Sequence, residues 1–367
     1  MKTVFASLLG ISGVLIARPL LAKEYFVYGA SATSQEVVAM RVEFEQGEVN
    51  TDIVQRLKLG FEAAPMVCDP GRKLLYIASL RDREGRGNQC AVIEMGCRGR
   101  MTLAGKSRFY HGSAYLALDR SGKFLLTSSY FDGDVEVYKI DKNGMPSKRI
   151  HHHHVGRDKS HAILASQDNR FAYVPYVKDK NGLFQYRFDS GTGKLQPLDP
   201  VQAKLPDGIG PRHMAYHPSK PYLFFSNEQH LGASSFRIMP DGQLMLVDVE
   251  EAQGVRPSKG LAASDIFVTP NGKFLYVPVR DFGEGAQDAV HAYRIADDGT
   301  LEHLQKLPCD RIPWGLNVTP DGKWLLVSAA FGNTLGFYSI CGDGRLSKVH
   351  SLEWGNMVRD VIVVDIE

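Results

Sequence analysis

The chain has 367 residues, 44% hydrophobic and 23% charged, which is enough apolar material for a large core and unlike a disordered or fibrous composition. Its 43 basic and 41 acidic residues leave a formal charge of +2 with no long run of one sign, so the electrostatic footprint of a nucleic-acid or membrane-surface binder is missing. A small or neutral partner is expected instead.

In chain order, residues 1–22, "MKTVFASLLGISGVLIARPLLA", come first. Lys2 precedes an apolar run from about Val4 to Ala17, too short to span a bilayer comfortably, and Ala22 is a small residue at which a signal peptidase could cut. This predicts a signal peptide and a periplasmic or secreted protein, with no membrane contact after its removal. Arg18 and Leu20 depart from the usual pattern, and a retained N-terminal anchor is the alternative. The run "EYFVYGAS" at 24–31 then reads as a strand.

From residue 68 onward one pattern recurs: "CDPGRKLLYIAS", "LDRSGKFLLTSS", "ASQDNRFAYVPY", "YHPSKPYLFFSN", "VTPNGKFLYVPV" and "VTPDGKWLLVSA". Each has a turn rich in Pro, Asp, Asn or Gly, followed by a short apolar and aromatic run, which predicts strand, tight turn, strand. The matching positions Tyr76, Leu126, Tyr173, Phe224, Tyr276 and Leu326 are spaced 47 to 52 residues apart. Strand-only units of this length predict an all-β, seven-bladed β-propeller over residues 23–367, read as one domain without a linker. The first unit lacks its first strand, and "RDVIVVDI" at 359–366 is the natural substitute: pairing the C-terminal strand with the N-terminal blade closes the ring and hides both sheet edges.

The repeat also selects candidate site residues. His161, Arg212 and Trp314 occupy the start of their units' first strands; Tyr130, Glu228 and Arg280 occupy the ends of the second strands. Strands joined by a tight hairpin run antiparallel, so these two sets lie side by side at one rim of the channel. Asp265 and His213 are expected beside them. Two arginines there offer forked donors to a carboxylate, a phosphate or a developing oxyanion. Charged strand ends that merely tie two blades together are the competing explanation.

Elsewhere the sequence is less telling. Cys68, Cys90, Cys97, Cys309 and Cys341 contain no Cys-x-x-Cys pair; Cys90 and Cys97 could bridge a turn, but buried thiols are the expectation. The run His151–His154 reads as a polar connection, and because adjacent histidines cannot all face one ion, no metal ligands are assigned. No phosphate loop, nucleophile elbow or metalloprotease helix is present, and no cofactor is expected.

The stretches "SHAILASQDNRFAYVP", "GPRHMAYHPSKPYLFFSNE", "SDIFVTPNGKFLYVPVR" and "PWGLNVTPDGKWLLVSA" resemble the seven-bladed propeller lactonases typified by bacterial 6-phosphogluconolactonase, which are related to fungal carboxy-muconate lactonising enzymes. The resemblance implies hydrolysis of a small-molecule sugar lactone without a required metal. It implies His161, Arg212, Glu228 and Arg280 as the catalytic group, with Glu228 or His161 as base; Tyr130, His213, Asp265 and Trp314, chosen by their registers, are expected as substrate contacts. Where the family commonly has Pro-Arg-Gly, this chain has Pro313, Trp314 and Gly315; where a His is frequent, it has Tyr115. Muconolactone isomerisation and a non-catalytic binding propeller are the alternatives.

Overall fold

The turn motifs set the local structure. In "VTPNGKFLYVPV" the Asn271 side chain accepts from Lys273 N at 2.9 Å and from Thr269 Oγ1 at 2.7 Å, while Thr269 Oγ1 accepts from Phe274 N at 3.1 Å. "VTPDGKWLLVSA" repeats this with Asp321 and Thr319, so the polar residues satisfy the turn's own backbone and release the next strand into its ladder. In this computed structural model, which describes residues 23–45, 47–81, 87–256 and 258–365, the units assemble into seven antiparallel sheets.

Blade 1 consists of Val358–Val364, Lys23–Ser31, Glu36–Glu45 and Glu48–Lys58, in that order from the channel outward. Val358–Val364 pairs antiparallel with Lys23–Ser31, Phe26 opposite Val364 and Ser31 opposite Val358, so the ring closes as expected, with the closing strand one residue earlier than the sequence suggested. Blades 2 to 7 follow in chain order with inner strands Ala63–Asp69, Tyr115–Leu118, Leu164–Ala165, Pro211–Tyr216, Leu261–Ala263 with Phe267–Val268, and Pro313–Val318. The predicted signal segment, residues 1–22, lies outside the described residues.

The core is seven wedges, one between each pair of neighbouring blades. Strand alternation divides each blade between two of them: Tyr28 and Ala30 pack toward blade 2, whereas Tyr25 and Val27 pack toward blade 7. Full burial of side chains this size contributes about 1.5–3 kcal/mol each. Turn glycines fix how closely blades approach. Gly242 and Gly344, with φ of +91° and +90°, sit on the rings of Phe171 and Phe274 in the preceding blade, and their carbonyls accept from Tyr173 Oη and Tyr276 Oη at 2.8 and 3.0 Å. At the closing interface Phe44 stacks on Trp324 instead, with centroids 4.3 Å apart.

The inner strands are not regular ladders. In blade 5, Pro211 pairs with Asn227 and Met214 with Phe225, so Arg212 and His213 together oppose Ser226 alone. Comparable extra residues occur in blade 1 at Arg359, in blade 6 around Asp265 and in blade 7 at Trp314. A bulge of this kind bends the strand and re-aims its side chains.

Two expectations need correction. All five cysteines are free, and Cys97 and Cys341 are exposed rather than buried. His151–His153 are not in a connection but end the outer strand Pro146–His153 of blade 3, because alternate residues there find partners on the neighbouring strand.

Gly344→Ala is expected to destabilise the fold by about 2–4 kcal/mol, since it adds left-handed strain to an overpacked contact. The added Cβ would lie 2.2 Å from the Phe274 ring. Urea unfolding of the variant against wild type checks this.

Candidate functional site

A cavity of about 1130 Å³ runs along the channel, and all eight residues singled out from the sequence line it: Tyr130, His161, Arg212, His213, Glu228, Asp265, Arg280 and Trp314. Tyr115 joins them, its ring against His213 with centroids 5.0 Å apart. Rim placement follows from the hairpins. Arg212 enters at the bulge of Pro211–Tyr216, Glu228 directly follows Tyr222–Asn227, and Arg280 lies near the end of Phe274–Asp281 in the next blade.

Two buried guanidinium groups share one carboxylate. Arg212 Nε donates to Glu228 Oε2 at 3.1 Å, and Arg280 Nη2 lies 3.8 Å from the same oxygen. Glu228 Oε1 accepts from Gln229 Nε2 at 3.2 Å, and Arg280 Nη2 donates to the Ala263 carbonyl at 2.8 Å. Arg212, Glu228 and Arg280 are 1%, 5% and 3% exposed, so this cluster is part of the protein interior rather than a solvated rim. Burial pushes both arginine pKa values down; for Arg280 the neighbouring Arg212 charge adds to the effect. The guanidinium groups of Arg212 and Arg280, on residues that line the cavity, favour an electron-rich oxygen beside them.

The histidines answer that charge by remaining neutral. Burial, then the Arg212 charge, lowers His161 well below the usual imidazole value and brings His213 down to about 4. His213 Nδ1 is 2.8 Å from Asp265 Oδ1. Asp265 is held by this contact and by the backbone N–H groups of Ile266 and Leu316; burial works against its charge, but these bonds keep its carboxyl below the ordinary range. An ionised carboxylate only accepts, so the Nδ1 atom carries the proton and Nε2 keeps its lone pair.

Three buried atoms in this set have no protein partner: His161 Nδ1, Arg212 Nη1 and His213 Nε2. The His161 and His213 rings meet edge to face with centroids 5.1 Å apart. Buried polar atoms are normally satisfied, and several orphans lining one cavity point to a polar ligand.

Register reasoning missed several neighbours. Asp360 accepts from Val361 N at 2.9 Å and, across the blade gap, from Met66 N at 2.8 Å. It thus repeats the device of Asp265, and the matching pairs "DI" in "SDIFV" and "DV" in "RDVIV" carried that signal. Burial, reinforced by Asp265, raises the Asp360 carboxyl to about 7. Arg359 stacks on one side of Trp314 at 4.8 Å from the ring centroid, Arg280 lies at 4.7 Å, and Phe282 meets the ring edge-on. Lys178, over the Tyr130 ring at 5.7 Å, follows a strand end by two residues and had no repeat partner to reveal it. Arg311, three residues before Trp314 in sequence, faces Asp288 at 3.6 Å instead.

Residues 25–360 match the family model described as lactonase, 7-bladed beta-propeller. A 6-phosphogluconolactonase of Cronobacter sakazakii is 27% identical over 323 residues, covering 87% of this chain and 92% of that protein. Its counterpart from an Enterobacter species is 26% identical over 319 residues, 86% and 91% of the two chains. Among solved structures, the periplasmic gluconolactonase of Pseudomonas aeruginosa superposes with a TM-score of 0.82 at 18% identity, over 94% of this chain and 100% of that one. A putative 6-phosphogluconolactonase from Bacteroides fragilis gives 0.81 at 18% identity, over 93% and 98%. At that identity the likeness is one of fold.

Glu228→Ala leaves two buried guanidinium groups uncompensated and is expected to lower stability by about 3–5 kcal/mol, whereas Arg212→Met with Glu228→Leu removes a charge of each sign and is expected to recover much of the loss. Denaturant unfolding of the single and double variants gives the comparison.

Proposed function

Since the chain belongs to the seven-bladed β-propeller lactonase family, we propose that it hydrolyses a sugar lactone of the aldonolactone class in the channel cavity. The observation that carries this reading is that three residues lining one cavity each hold a buried polar atom without a partner, His161 Nδ1, Arg212 Nη1 and His213 Nε2. A lactone needs a donor for its carbonyl oxygen, a base for the attacking water and an acid for the departing ring oxygen. Arg212 Nη1 can supply the donor, and His213 Nε2 the base and, once protonated, the acid.

In the proposed reaction His213 Nε2 takes a proton from water as the water oxygen bonds to the carbonyl carbon. Asp265 holds the ring through Nδ1 and stabilises the imidazolium as it forms, while Arg212 donates to the oxyanion. Collapse of the tetrahedral intermediate breaks the bond to the ring oxygen, which leaves as a hydroxyl after taking the proton from His213. The new carboxylic acid ionises, so each turnover releases one proton. The sequence offered Glu228 or His161 as base. Glu228 is already engaged with Arg212 Nε and Gln229, which suits it to positioning the guanidinium, and among the described residues no carboxylate is hydrogen-bonded to His161 Nδ1.

Trp314 supports an uncharged sugar ring as the partner. An indole replaces a cation common in the family and adds apolar surface to the cavity lining, although Arg280 and Arg359 both lie over the ring and keep positive charge beside it. Export through residues 1–22 fits the same substrate, because phosphorylated sugars are retained in the cytoplasm whereas free aldonolactones also arise outside it.

Proton release from a panel of lactones, measured above the spontaneous rate, tests the reading. Turnover of none would favour a binding protein built on the same cavity. His213→Gln is expected to lower kcat by about 10²–10⁴, the range for loss of a general base. With His213 depressed to about 4, its base form persists from neutral pH down to about 5; kcat/KM should hold across that window and fall below it as the imidazole protonates. A wild-type acid limb centred near 6.5 would point to an exposed histidine instead. Gluconolactone should be turned over with a higher kcat/KM than its 6-phosphate, and Trp314→Arg should shift that preference toward the phosphate by tenfold or so, about 1.4 kcal/mol. Steady-state kinetics on both substrates reads the shift.

A further inference from the structure

Outside the channel, between the outer parts of blades 2 and 3, three imidazoles surround one buried carboxylate. His152 Nε2 lies 2.5 Å from Asp134 Oδ1, His154 Nδ1 3.1 Å from the same oxygen, and His111 Nε2 3.3 Å from Asp134 Oδ2. We propose that His111, Asp134 and His152 form a binding site for a borderline divalent transition-metal ion of the Zn²⁺ class, with the fourth position open to water or to a shifted His154.

Strand geometry answers the objection raised by the sequence. In Pro146–His153 and the residue after it, alternate side chains face opposite sides: His152 and His154 turn toward Asp134, while His153 packs on Tyr186 of blade 4. Only every second histidine of the run is used. The third imidazole comes from elsewhere in sequence, from His111 in the connection between blades 2 and 3.

The chemistry of the donor set is selective. The ligand atoms of His111, Asp134 and His152 all lie within 4.8 Å of one another. Ligands of a tetrahedral ion with bonds of roughly 2.0–2.1 Å stand roughly 3.3 Å apart, so only small side-chain adjustments are required. Imidazole nitrogen with one carboxylate suits zinc and its neighbours better than magnesium or calcium, which prefer oxygen.

A second feature points the same way. His111 Nδ1 lies 3.2 Å from Glu136 Oε1, and Glu136 is itself held by Arg149 Nη1 at 2.5 Å and Tyr138 Oη at 2.8 Å. A carboxylate that takes the Nδ1 proton leaves the His111 Nε2 lone pair facing the Asp134 carboxylate, an arrangement that a cation between them would make favourable. This is the carboxylate–histidine–metal arrangement, in which the outer carboxylate fixes both tautomer and ring orientation. Asp134 is 7% exposed and His111, His152 and His154 are 28%, 40% and 48% exposed, so the anchor is buried while an ion can enter from solvent.

Tag-free full-length protein, stripped with a chelator, would be titrated with Zn²⁺ against a chromophoric competitor and with Co²⁺ by visible absorption. One equivalent should bind with a Kd on the order of 1 μM or tighter, Co²⁺ should give the intense bands of a four-coordinate site, and excess Mg²⁺ should not compete. His152→Gln and His111→Gln should each weaken binding about 100-fold, and Glu136→Gln about 10–100-fold through the freed His111 ring. His153→Gln, on the opposite face, should leave binding unchanged. Thermal unfolding should shift upward with Zn²⁺ for wild type and His153→Gln only, and unfolding of the metal-free variants shows that each is folded. Equal Zn²⁺ affinity in wild type and His152→Gln, or no saturable binding by wild type, would overturn the site and leave a hydrogen-bonded cluster.

Discussion

Burying two guanidinium groups side by side carries a large desolvation cost, and the arrangement around the channel mouth makes it tolerable. Glu228 alone cannot neutralise both Arg212 and Arg280, so Arg280 also donates to the Ala263 carbonyl, and both nearby histidines stay uncharged. Asp265 completes the balance from the far side of His213. The same forces that disfavour charge on the imidazoles leave their nitrogen lone pairs available for proton transfer. Electrostatic strain and chemical competence thus arise from one arrangement.

That arrangement depends on irregular backbone. A flat inner strand would alternate its side chains strictly between the two adjoining wedges of core, with none left to face the channel. The bulges at Arg212–His213, Asp265, Trp314 and Arg359 break the alternation where the strands enter the rim. Asp265 and Asp360 then bond to backbone N–H groups of both their own blade and the next, at Leu316 and Met66. Two of the acidic groups at the channel are therefore also fasteners between blades.

Most of the fold was legible because the polar residues of the turns and the aromatic residues after them repeat at nearly constant spacing, and Tyr76 through Leu326 all fall third in their strands. Register reached the cavity lining for the same reason: Arg212, Trp314, Glu228 and Arg280 hold repeat-equivalent positions. What escaped was set by packing across the ring. The placement of Lys178 over Tyr130 had no repeat-equivalent cation to reveal it. Asp134 and His111 are distant in every periodic sense, and only the alternation of a strand read as a loop turns His152 toward Asp134. The choice of His213 over Glu228 as base in the proposed reaction is likewise invisible in sequence, because it rests on which partner each side chain has found.

The closing strand has a consequence for the order of events in making the protein. Val358–Val364 is the last of the ring's strands to be synthesised, yet it forms the innermost strand of the first blade and supplies Arg359 and Asp360 to the channel. Until it emerges, Lys23–Ser31 presents an open edge, Trp314 lacks one of its two cations, and Met66 N lacks its acceptor. A nascent chain can therefore carry six finished blades without a finished pocket. Assembly of the site is tied to completion of the ring, and a chain that stops short of this strand is left with an exposed sheet edge for which chaperones and proteases can compete.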